Sequence, residues 1–250
     1  MKRNATTPMK KTNLFPLLAV LALIASLSSF RGANRTAFDE QTRNLPAFHE
    51  IGLAYPANVI LRQGGTQSVK VEGDKDQLAD LETEVKNGRL SIKRKDEDRN
   101  WNWSSSGNDR VTIYITVPQV DHLAVSGSGK IKGEGTFKAK SLDLAVSGSG
   151  GIQLNANVEN LSSRISGSGS VELKGEGQES TISVSGSGSM KGYEFKTNSA
   201  QVSISGSGSC EINATSSLKS SISGSGRVSY EGSPSVDSRV SGSGTVKKRG

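Results

Sequence analysis

The stretch Thr181-Ile182-Ser183-Val184-Ser185-Gly186-Ser187-Gly188-Ser189-Met190 decides how this chain folds, because its parts recur at fixed offsets through the C-terminal half. The tetrapeptide Ser-Gly-Ser-Gly begins at Ser126, Ser147, Ser166, Ser185, Ser205, Ser223 and Ser241, at intervals of 18 to 21 residues. A repeat of that length marks a solenoid. Directly before each copy stands a β-branched aliphatic residue: Val125, Val146, Ile165, Val184, Ile204, Ile222 and Val240. Two residues after each copy stands a second apolar residue: Ile131, Ile152, Val171, Met190, Cys210, Val228 and Val246. Between these anchors apolar and polar residues alternate, as in Gln201-Val202-Ser203-Ile204, which is the period of a strand and not of a helix.

The tetrapeptide therefore reads as a corner between strands. Glycine tolerates the positive φ of a sharp bend, and serine is small enough to stack on its copy in the next coil. A flexible Ser-Gly linker would show neither a period nor apolar residues at matching offsets on both sides. The expected fold is all-β, a parallel β-solenoid of about seven coils over residues 121–250, with Cys210 inside it by register. Pro234 is the only proline after Pro118, as strands that donate to neighbouring coils require.

Upstream, residues 47–120 hold strand-like runs without the tetrapeptide: Val59 to Leu61, Val69 to Val71, Leu90 to Ile92 and Val111 to Val117. Asn87-Gly88 signals a tight hairpin, and Leu78 to Leu81 a short helical turn. This region is expected to be an irregular β cap over the N-terminal end of the solenoid, since an open strand edge invites aggregation. The charged insertion 93–110 carries Trp101 and Trp103 and reads as a projecting loop, a possible binding loop set against the alternative that both rings pack on the domain.

Residues 1–28 have the form of a secretory signal, with Lys2, Arg3, Lys10 and Lys11 ahead of the apolar run from Leu14, and 29–46 form a flexible segment. An uncleaved anchor is the alternative, and the only membrane contact expected. Removing the signal lowers the net charge from +7 to +3, which is no nucleic-acid signature. A single cysteine makes no intramolecular disulfide, and none stands at the cleavage point to take a lipid.

The seven corners, Gly127-Ser128-Gly129, Gly148-Ser149-Gly150, Gly167-Ser168-Gly169, Gly186-Ser187-Gly188, Gly206-Ser207-Gly208, Gly224-Ser225-Gly226 and Gly242-Ser243-Gly244, together with Phe48 to Pro118, resemble the bacterial family described as putative auto-transporter adhesins with a head GIN domain. The resemblance covers residues 47–250. It implies a right-handed parallel β-helix, similar in shape to pectin lyases without their catalytic residues, and a role in adhesion. Because Lys247-Lys248-Arg249-Gly250 follows directly on the last corner, this chain is expected to carry no translocator barrel of its own.

The residues favour no catalysis. Only two histidines are present, His49 and His122, neither in a recognisable motif, and the serines recur without a base at a matching offset. Glu134, Glu172, Glu176 and Glu211 fall in outward alternation without calcium-type spacing. The expected function is a non-catalytic, exported envelope or surface protein, in the periplasm, on the outer membrane or outside the cell. It needs no cofactor or metal, and its partner class is a polysaccharide or another envelope protein. A polysaccharide-lyase-like enzyme and a purely structural envelope protein are the alternatives.

Overall fold

Alternation of apolar and polar residues gives an extended chain one dry and one wet face. The computed structural model, which describes residues 39–95 and 111–250, is built almost wholly from such strands. In chain order, β1 (Asp39–Thr42), β2 (Glu50–Leu53), β3 (Asn58–Gln63) and β4 (Ser68–Gly73) precede a short helix, α1 (Lys75–Asp80). Then come β5 (Leu81–Lys86), β6 (Arg89–Arg94), β7 (Thr112–Val117) and β8 (His122–Gly127). Five long, bent strands follow: β9 (Lys130–Gly148), β10 (Gly151–Gly167), β11 (Ser170–Gly186), β12 (Ser189–Gly206) and β13 (Ser209–Gly224). The last are β14 (Arg227–Glu231), β15 (Ser235–Gly242) and β16 (Thr245–Lys248).

β9 to β13 stack as parallel neighbours, and each tetrapeptide lies on the next: Ser126 pairs with Ser147, Ser147 with Ser166, Ser166 with Ser185, Ser185 with Ser205, Ser205 with Ser223 and Ser223 with Ser241. The corners continue the ladder instead of interrupting it. The N–H of Ser168 donates to Gly148 O at 2.9 Å, Ser187 to Gly167 O at 2.9 Å and Ser225 to Gly206 O at 2.9 Å. The chain is thus a β-solenoid with its seven corners in one column.

The aliphatic residue before each corner points inward, and Val125, Val146, Ile165, Val184, Ile204 and Ile222 are all buried. So are Ile131, Ile152, Val171, Met190, Cys210 and Val228 on the far side of the corner. Burying each such side chain contributes about 1.5–3 kcal/mol, and stacking makes the burial continuous. The last coil departs from the expected pattern. Val240 is 43% exposed and Val246 only partly buried, because no further described strand lies on β15 or β16 to cover them.

Cys210 sits in register between Met190 and Val228, 1% exposed, and burial pushes its thiol well above the usual range, with Glu211 adding to the effect. A thiolate is the reactive form. A thiol reagent is therefore expected to label the native protein only at the rate of unfolding. Cys210→Val should cost less than ~1.5 kcal/mol, as a volume-conserving exchange; labelling as fast as that of a free thiol would contradict this.

At the other end the stacking order departs from the chain order. β8 lies beside β2, and β2 beside β6, all parallel, while β3 lies between β9 and β7. The β2–β3 layer, made early in the chain, is therefore enclosed between the β6–β7 layer and the first tetrapeptide coil. β4 and β1 then add antiparallel beyond β7, and β5 antiparallel beyond β6, closing that end with short strands rich in charge. β5 and β6 form the hairpin expected at Asn87-Gly88, both residues at positive φ (51° and 76°) as a two-residue primed turn requires. The helical turn expected near Leu78 is α1, whose Leu78 is buried against the core.

Candidate functional site

The outward positions of the first wall after each corner form one column running the length of the rod. Starting beyond β7, Lys70 lies beside Tyr114, Tyr114 beside Ile60, and Ile60 beside Lys132. Gln153, Glu172, Lys191, Glu211, Ser229 and Lys247 then follow in register. Parallel stacking sets these side chains about 4.8 Å apart. The result is a flat polar stripe in which cation and anion alternate over Glu172, Lys191 and Glu211. Hydrogen bonds and ion pairs span adjacent coils: Gln153 Nε2 donates to Glu172 Oε1 at 3.0 Å, Lys174 Nζ meets Glu194 Oε2 at 2.9 Å, and Arg62 Nη2 meets Glu134 Oε2 at 2.5 Å.

At the head of this stripe Asn58, Tyr114, Lys130, Lys132, Gln153 and Glu172 border a shallow depression of about 600 Å³. Tyr114 is 37% exposed, with Lys70 Nζ 5.4 Å from the ring centroid. Partial burial raises its phenol above the ordinary value, and a hydrogen bond to the Glu72 carboxylate raises it further. An aromatic face flanked by amines and amides can stack on a sugar ring and hydrogen-bond its hydroxyls. Sequence reasoning looked for a surface aromatic at Trp101 and Trp103 and passed over Tyr114. The signal was present in Thr112-Ile113-Tyr114-Ile115, where Ile113 and Ile115 inward put Tyr114 outward.

Each histidine has a carboxylate partner that the sequence reading did not find. His49 Nδ1 lies 2.9 Å from Asp121 Oδ2, and His122 Nδ1 lies 3.5 Å from Asp143 Oδ2. Arg164 Nη1 meets both oxygens of Asp143, at 3.0 and 3.1 Å. A carboxylate on Nδ1 orients an imidazole, but acid–base or nucleophilic chemistry also needs a reacting group on the other nitrogen. Among the described residues no hydroxyl is hydrogen-bonded to either ring. Nor does any group of three or more His, Cys, Asp or Glu among them stand where it could hold a metal ion.

The corner glycines divide into two kinds. The first of each pair, Gly127, Gly148, Gly167, Gly186, Gly206, Gly224 and Gly242, has φ between +93° and +118°. The second does not, and is glycine for want of room. A Cβ on Gly150 would meet Val125 Cγ1, on Gly169 Val146 Cγ1, on Gly188 Ile165 Cγ2, on Gly208 Val184 Cγ1, on Gly226 Ile204 Cγ2 and on Gly244 Ile222 Cγ2. Gly129 packs in the same way on Leu53 of the N-terminal layer. Trp101 and Trp103 lie outside the described residues. The described strands that flank them in sequence, β6 and β7, pair with β2 and β3.

Comparison with known proteins gives three findings. The family model described as "Putative auto-transporter adhesin, head GIN domain" matches residues 47–234. A search of curated proteins finds no match. Among solved structures, a putative adhesin from Bacteroides fragilis is similar at 22% identity and a TM-score of 0.78, over 85% of this chain and 97% of that one. A putative lipid binding protein from Parabacteroides distasonis is similar at 23% identity and a TM-score of 0.70, over 86% of this chain and 98% of that one. A putative adhesin from the same organism follows at 21% identity and 0.69, with the same coverage. Identity at this level shows a shared fold.

Proposed function

The chain belongs to the family described as putative auto-transporter adhesin, head GIN domain, and from that premise we propose that it is a non-catalytic, exported binding scaffold of the cell envelope. It holds a repetitive polymer, of which a polysaccharide is the class best matched, along the outward stripe headed by Tyr114. The observation that carries this reading is the in-register column from Lys132 to Lys247, whose donors and acceptors repeat at about 4.8 Å. Many weak, evenly spaced contacts give avidity toward a ligand that also repeats. Export rests on the basic and apolar N-terminal segment and on membership of an adhesin family. No helix among the described residues is long and apolar enough to cross a membrane.

The test is retention and turnover measured together on immobilised acidic and neutral polysaccharides. A vesicle arm is included because one structural relative is described as lipid binding. Retention without turnover is expected, weakened about tenfold by Tyr114→Ala, as for an aromatic anchor at the centre of a contact. Reversing the stripe with Lys132→Glu should weaken retention of acidic polymers more than of neutral ones. Retention lost with Trp101→Ala or Trp103→Ala and untouched by Tyr114→Ala would move the site to residues 93–110. Turnover abolished by changing His122 or Asp143 would make the protein an enzyme and end the proposal.

A further inference from the structure

The two ends of the solenoid are finished differently. The N-terminal end is closed by β1, β4 and β5, running antiparallel to the layer beneath, and its outermost strands carry Asp39 and Glu40 on one side and Glu82, Glu84 and Lys86 on the other. Charge on an edge strand discourages further pairing. The C-terminal end has no such cover among the described residues. β15 pairs only with β13, and β16 only with β14, so each offers a row of unpaired backbone groups.

Every residue of β15 is exposed, although its register continues the buried column beneath it, Val236 over Leu218 and Val240 over Ile222. Val236 and Val240 are two of only three large hydrophobic residues exposed among the described residues, the third being Tyr114. Asp237 and Arg239 point outward between them, and neither forms an ion pair with a described residue.

β15 is also a palindrome. Ser235-Val236-Asp237-Ser238-Arg239-Val240-Ser241 reads the same from either end once Asp and Arg are exchanged. An antiparallel pair of two such strands, related by a two-fold axis at Ser238, sets Val236 against Val240, Asp237 against Arg239 and Ser235 against Ser241, each pair occurring twice. Every pair joins residues of the same face, so both valine pairs fall on the inner side and both ion pairs on the outer. Opposite-charge and β-branched pairs directly across an antiparallel ladder are favourable, whereas like charges there oppose pairing. A two-fold interface uses the same surface on both partners and closes on itself. Within its own chain Asp237 lies in register beside Lys219, with no ion pair formed between them.

We propose that two copies of this chain join tail to tail through β15, antiparallel about Ser238, so that the exposed last coil of each covers the other and the two solenoids form one rod. The proposal does not depend on the ligand assigned to the outward stripe. A strand of some other protein would have no need of the palindrome.

The experiment is sedimentation equilibrium on the purified full chain over about a hundredfold range of concentration. A monomer–dimer equilibrium is expected. Asp237→Arg and Arg239→Asp, each replacing two attractive pairs by two repulsive ones, should each weaken association about tenfold or more without lowering the melting temperature of the monomer, measured at concentrations too low for association, both sites being exposed there. An equimolar mixture of the two variants should recover the dimer, because residues 237 and 239 of the one are then opposite in charge to those of the other. The double variant, Asp237→Arg with Arg239→Asp, should recover it alone. A wild type that stays monomeric throughout would overturn the proposal, as would a dimer indifferent to both single changes or a mixture that fails to associate.

Discussion

Gly186→Ala is expected to destabilise the protein by about 2–5 kcal/mol, and Gly127→Ala by only about 1–3 kcal/mol, although both replace the same glycine of the same tetrapeptide. Both positions need positive φ, +100° at Gly186 and +93° at Gly127, so both pay the conformational strain of an L side chain there. They differ in what lies beside them. A Cβ on Gly127 has nothing within 4 Å, whereas on Gly186 it would stand 2.8 Å from the carbonyl oxygen of Gly167. That oxygen accepts the N–H of Ser187 at 2.9 Å, so it cannot retreat without losing a ladder bond. Gly188→Ala completes the series with the opposite balance: its φ is not positive, and its cost is a collision with Ile165 Cγ2 and Gly169 O. Urea unfolding of the three variants checks the order. Equal losses at Gly127 and Gly186 would mean that the strain is purely conformational and that the preceding corner can move.

These glycines also show where the residues speak plainly and where they do not. The period and offsets of the tetrapeptide were enough to place seven corners in one column, because a side chain that must be inside in every coil leaves a single consistent register. Why each corner needs two glycines was not legible. The second is required by a side chain about 23 residues away in the coil before, such as Ile165 beneath Gly188, and only stacking brings them together. The His122–Asp143 pair is the instructive omission. Their separation of 21 residues equals the first repeat interval, so the pair could have been read once Val125 was laid on Val146. His49–Asp121 could not, since β2 lies outside the repeat and its place beside β8 depends on the chain first passing out to β4 and returning through β6 and β7. Local pattern carries no record of such a reversal. Tyr114 was hidden in another way: a strand reading attends to the inward isoleucines and passes over the residue between them.

Phe195→Ala is expected to cost about 3–5 kcal/mol, and Gly177→Ala to be harmful alone yet nearly harmless in the same chain. Phe195 is the largest of the fully buried side chains, at 0% exposure, and lies in register beside Gly175 of the preceding coil. Glycine at 177 leaves the space its ring fills: a Cβ there would come 2.9 Å from Phe195 Cζ. Truncating the ring opens a cavity walled by hydrogen-bonded backbone, and backbone held on both sides by parallel neighbours collapses less readily than side chains do. Gly177 is not at positive φ, so alanine there is opposed by the ring and not by the backbone. Removing the ring lifts the objection, and the added methyl takes up part of the space. A double-mutant cycle in urea should therefore show the two changes together costing at least about 1 kcal/mol less than the sum of the singles. Strict additivity would mean that the coil had already relaxed around either change, and that the fit of phenylalanine against glycine is not what sets the width of the solenoid at this level.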